Sequence, residues 1–144
     1  MGLFAKLYYR LFGTKRLSSL ERLTLDAWRN SLSINAREIL DAQLQEALFA
    51  QQQAGGAKLC FYYPDHASSP VFRDQSPDLH VATVIVTDAQ VPSSTMRGKV
   101  FLHRGRFFSL EFPKRPWRYL QLHGMHMETL RAERVDMHVS ALSP

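Results

Sequence analysis

Residues 97–111 constrain the fold more than any other stretch of this chain. Val100 and Leu102 precede Arg104-Gly105, and Phe108, Leu110 and Phe112 follow it at alternate positions. Apolar alternation on both sides of a glycine turn is the pattern of an antiparallel hairpin with one buried face. Its register can be chosen on chemical grounds. A two-residue loop pairs His103 with Arg106 and sets Lys99 opposite Leu110 and Arg97 opposite Phe112, mixing charge with core residues. A three-residue loop, His103-Arg104-Gly105, places Gly105 at the left-handed position of a turn with a bulge, where the missing Cβ is an advantage. It pairs Phe101 with Phe107, Val100 with Phe108, Lys99 with Ser109 and Arg97 with Glu111. Those pairs match in character, so this is the expected register. Arg97, Lys99, Phe101, His103 and Phe107 then share the second face.

The hairpin needs neighbours, and the rest of the chain offers them. Ser18 three residues before Glu21 is a capping box, opening a helix whose stripe is Leu20, Leu23, Ala27 and Trp28. Asn35 and Glu38 supply a second such pair, and Ala36, Ile39, Leu40, Leu44, Ala47 and Leu48 predict a helix running to about Gln52. Ala54-Gly55-Gly56 ends the helical part. Lys58 to Tyr63 reads as a strand with Leu59, Phe61 and Tyr63 on one face. Leu79 to Thr87 reads as a second, apolar on both faces and so covered on both. Pro113 and Pro116 end the hairpin; residues 117–122 are extended or briefly helical. Val135, Met137, Val139 and Ala141 alternate as a half-buried strand. The expected architecture is α+β, with two or three N-terminal helices on an antiparallel sheet of four to six strands. A single domain is expected over residues 1–144: residues 1–16 helical and basic, 17–53 helical, 57–144 mainly β.

Composition agrees with a globular chain, since 45% of 144 residues are hydrophobic and 22% charged. The one cysteine, Cys60, cannot close an internal disulfide, so a cytoplasmic location is expected. Residues 1–16 place Leu3, Phe4, Leu7, Tyr8, Leu11 and Phe12 opposite Lys6 and Arg10. Neither a signal peptide nor a myristoylation pattern fits them. Charge is concentrated in two blocks. Residues 1–16 hold four cations and no acid, and residues 97–119 hold seven cations against one acid, within a net charge of +5.

No catalytic, cofactor or metal site is expected. His123 and His126 have H-x-x-H spacing, with His138 further on, but Gly124 lies between the first two and no third ligand is evident. Cys60 sits in an apolar strand, where a buried thiol is the ordinary case. No phosphate-binding glycine loop or zinc-protease motif occurs. The informative residues are Arg97, Lys99, Phe101, His103, Arg104, Arg106 and Phe107, continued by Lys114, Arg115, Trp117 and Arg118. Arginine and aromatic side chains together suit a protein partner, and the preferred reading is a non-enzymatic adaptor or inhibitor that uses this surface. Nucleic-acid binding through the same residues is the alternative, since aromatic rings framed by cations accept stacked bases. Attachment to a membrane surface through residues 1–16 is the third.

Overall fold

Three helices pack on a six-stranded antiparallel sheet in a computed structural model that describes residues 17–138. The fold is α+β. The helix expected over residues 1–16, its packing against Phe101 and Phe107 or a membrane, and Val139 and Ala141 lie outside the described residues.

Helix α1 (Ser19–Ser31) starts at the expected capping box: the Ser18 hydroxyl accepts from the Glu21 N–H at 3.2 Å and Glu21 accepts from the Ser18 N–H at 2.8 Å. Helix α2 (Ile34–Glu46) is capped by Ser33, not Asn35, with the Ala36 N–H on its hydroxyl. It also stops at Glu46, short of the expected Gln52. Ala47 and Leu48 continue the apolar stripe, but the chain turns extended there and Phe49–Gln53 becomes strand β1. Beyond Phe49 the residues have no strand preference of their own; pairing with β2 (Lys58–Tyr62) decides the matter. Arg29 grips Asp41 with two hydrogen bonds, 2.7 and 2.6 Å, and ties α1 to α2.

The remaining strands are β3 (Leu79–Asp88), β4 (Val91–His103), β5 (Arg106–Glu111) and β6 (Leu130–Met137). Between β5 and β6 lies the short helix α3 (Pro116–Leu122). Strand order across the sheet is β1-β2-β5-β4-β3-β6, which leaves β3 internal, as its apolar faces require. Helix α1 lies over β3 and β6, and α2 over β5. Met96, Val100, Leu102, Phe107 and Leu110 face the helices and are fully buried. Gly98 marks the closest approach: a Cβ there would stand 2.7 Å from Thr24 Cγ2 on α1. At the far edge, β6 begins five residues before Val135 with Leu130-Arg131-Ala132-Glu133-Arg134, a charged stretch typical of an edge strand.

The hairpin turns where expected but in a different register. Its loop has two residues, Arg104 and Gly105, with φ of 50° and 80°, so both occupy the left-handed region as a type I′ turn demands. His103 pairs with Arg106 and Leu102 with Phe107; then Phe108 is skipped, and Phe101 pairs with Ser109, Val100 with Leu110 and Lys99 with Glu111. The extra residue is Phe108, not Gly105. An uninterrupted two-residue hairpin puts charges against the core, and one bulge cures this by shifting the alternation. Phe107 therefore points into the core and Phe108 away from it, the reverse of expectation.

A long connection, residues 63–78, is fastened to the hairpin tip. Phe72 is fully buried, and its N–H donates to the Gly105 carbonyl at 2.8 Å. Glu46 at the end of α2 accepts from the Ser69 hydroxyl at 2.7 Å, from the Ser68 hydroxyl and from both serine N–H groups. These donors, the Ser69 hydroxyl foremost, lower its carboxyl pKa to about 2. A carboxylate lowered on folding contributes stability above its unfolded pKa and loses it as pH falls toward the folded value. Thermal stability should accordingly drop between pH 4.5 and about 2. The drop should be shallower in Glu46→Gln; identical acid limbs in melting curves of the two proteins would refute this role.

Candidate partner-binding site

The sheet face turned away from α1 and α2 carries the cations. Strand pairing sets them in rows: Gln53, Lys58, Glu111, Lys99, Thr83 and Asp136 are successive cross-strand neighbours over all six strands. Glu111 is flanked by two lysines, and the Lys58 Nζ stands 3.5 Å from its carboxylate. In the next row Ile85 lies between Arg97 and Arg134. Tyr119 of α3 closes one end by donating its hydroxyl to the Thr95 carbonyl at 2.7 Å. Lys58, Arg97, Lys99, Glu111, Thr95 and Tyr119 border a cavity of about 530 Å³, whose remaining wall is Ala54, Ala57, Phe112 and Pro113. Among the described residues, three cations face one acid there. Arg97 and Lys99 are exposed and make no hydrogen bond or ion pair among the described residues. Such a cavity can hold carboxylates or other anions through charge-assisted hydrogen bonds.

The eleven residues singled out in the sequence do not form one patch. Arg97 and Lys99 line the cavity. Phe101 lies on the same face, but its ring stacks on His80, 4.9 Å between centroids. His103, at the end of β4, meets the Pro77 carbonyl through Nδ1 and stands 3.8 Å from Asp78. Arg104 is exposed on the turn. Arg106 points instead into the 63–78 connection, donating to the Ser69 hydroxyl and carbonyl at 2.5 and 3.0 Å and lying 3.6 Å from Glu46. It is a structural clamp. Phe107 is wholly buried, with Phe61 and Trp28 at 4.7 and 5.5 Å. Lys114 and Arg115 are exposed in the turn before α3, and Arg118 is exposed on it. Trp117, also on α3, is 44% exposed and borders a second groove of about 370 Å³ with Leu120, Met125 and Met127.

Of the ten cavity residues only Arg97 and Lys99 were singled out in the sequence; the most consequential of those missed are Lys58, Glu111 and Tyr119. Lys58 and Glu111 meet only because β2 pairs with β5, a contact between segments some fifty positions apart that no local pattern announces.

The histidines also regroup. His123 stacks on Tyr119, while His126 donates its N–H to the buried Asp88 carboxylate at 2.7 Å. Asp88 also accepts from the Thr129 hydroxyl and the Gln90 N–H, and these donors hold its pKa far below the usual carboxylate range. The Thr83 hydroxyl joins His80 and His138, at 3.1 and 2.7 Å from their Nε2 atoms. Burial, and His138 beside it, lower the His80 pKa. Cys60 is buried on the cavity side of β2, and desolvation pushes its thiol pKa up, away from a reactive thiolate. No group of three or more His, Cys, Asp or Glu side chains placed to hold a metal ion occurs among the described residues. No helix among them is long and apolar enough to cross a membrane. No protein-family model matches the chain, and no curated protein or solved structure matches it either.

Proposed function

We propose that this chain is a non-enzymatic binding protein of the adaptor or inhibitor type, working in the cytoplasm, that docks an acidic segment of a partner protein in the cavity over β2, β5 and β4. One observation carries the reading: Lys58, Arg97 and Lys99 converge on a cavity of about 530 Å³ that holds a single acid, Glu111. Glu111 stands between the two lysines in the sheet and pairs with Lys58 at 3.5 Å, while Lys99 and Arg97 have no ion pair or hydrogen bond among the described residues and are the cations left for a ligand. The nucleic-acid alternative loses support from the same geometry. It needed Phe101 and Phe107 as a free stacking platform, and one is core while the other is stacked on a histidine.

A fluorescent decapeptide of alternating Glu and Ser should bind the full chain with micromolar affinity. The Arg97→Ala/Lys99→Ala double variant should weaken that binding by about 100-fold, each charged contact contributing roughly tenfold. An unchanged affinity in the double variant would remove the site. A mixed-sequence single-stranded oligonucleotide that binds more tightly than the peptide, with a steep salt dependence, would establish the alternative instead.

A further inference from the structure

Helix α3 has a cavity on each side, and their linings differ in kind. Tyr119 faces the charged cavity, while Trp117 and Leu120 border the second groove with Met125 and Met127. Among the described residues, that groove of about 370 Å³ is lined by no side chain of fixed charge, and His126 is the one titratable group in its wall. Methionine walls adapt to the shape of an inserted apolar side chain, and the tryptophan ring offers it a broad rigid face. The large apolar residues left exposed among the described residues are Ile34, Trp117, Leu122 and Met137, and two of these four lie on the seven residues of α3. Arg115 and Arg118, both exposed, flank Trp117 on the same segment. Cations therefore continue from the cavity along the helix that separates it from the groove.

From this arrangement we infer that the partner segment is bipartite, an acidic stretch in the charged cavity joined to one bulky apolar side chain that enters the groove beyond α3. The inference rests on the proposed function above and specifies its ligand. The spacing follows from geometry. A helix with its side chains is about 10–12 Å across, and an extended chain advances about 3.3 Å per residue, so about three or four residues separate the nearest acid from the anchor. The acids answer Lys58, Arg97 and Lys99, the linker passes Arg115 and Arg118, and the anchor packs against Trp117 and Met127.

Fluorescence polarisation with three labelled peptides and the full chain tests this. One is the Glu-Ser decapeptide; the others carry a Leu four residues beyond its last or before its first Glu. One of the two anchored peptides should bind about tenfold tighter than the decapeptide. Trp117→Ala should abolish that gain, bringing the ratio of anchored-peptide to decapeptide affinity from about ten to about one. Arg97→Ala/Lys99→Ala should weaken all three peptides. If neither anchored peptide gains twofold, or the gain survives Trp117→Ala, the bipartite ligand is wrong although the charged site stands. Failure of the decapeptide itself to bind overturns the proposed function and with it this inference. An anchored peptide that binds equally well to the double variant assigns the groove to purely apolar ligands and also overturns it.

Discussion

Phe107→Ala lowers the free energy of unfolding by about 3–5 kcal/mol, the range for deleting a wholly enclosed phenyl ring. Nothing in the composition distinguishes Phe107 from its neighbour Phe108 or from Phe101; the difference is one of register. Phe107 has no exposed surface and packs between Phe61 and Trp28, so alanine leaves a cavity bounded by α1, β2 and β4. Phe101 is partly covered, and its replacement by alanine loses mainly the stack on His80, about 1 kcal/mol. Urea unfolding followed by circular dichroism separates the two. Equal losses in the two variants would mean that the three-residue loop, with both rings on one face, describes the hairpin after all.

Gln43→Leu is expected to cost about 3 kcal/mol, although it puts an apolar side chain of similar size into an apolar place. Gln43 is fully buried at the end of α2. Its amide nitrogen donates to the carbonyls of Pro70 and Gly105 at 2.8 and 3.0 Å, and its oxygen accepts from the Phe107 N–H at 2.9 Å. One side chain thus serves the helix, the hairpin tip and the 63–78 connection. Gly105 keeps the Phe72 N–H and Pro70 is near solvent, but the Phe107 N–H is left buried without an acceptor. A loss below about 1 kcal/mol in the same unfolding assay would show that this N–H finds another acceptor.

The elements that announced themselves in the sequence are those held by local chemistry. The Ser18–Glu21 box, the alternation of Leu59 and Phe61, the two-sided apolar run of β3 and the Arg104-Gly105 turn all depend on residues within one element. What escaped depends on partners distant in the chain. Strand β1 consists of Phe-Ala-Gln-Gln-Gln, which follows an amphipathic helix in phase and becomes a strand because β2 lies alongside. The bulge at Phe108 has no residue signature, since neither phenylalanine is needed for its backbone geometry. Among the site residues, Arg97 and Lys99 were legible from alternation on β4, but Arg106 carries the same charge and spends it on the Ser69 loop. Charge counting finds cations; it does not say which are already engaged.

The three-pair contact between β2 and β5 has a kinetic meaning. Strands β3, β4 and β5 follow one another as hairpins and can form by short loop closures, whereas joining residues 58–60 to 109–111 closes a loop of roughly fifty residues. Lys58 comes from one side of that seam, and Arg97, Lys99 and Glu111 come from the other. The cavity proposed to take an acidic segment is therefore not assembled until β2 has joined β5: any recognition through it waits on a pairing that closes some fifty residues of chain.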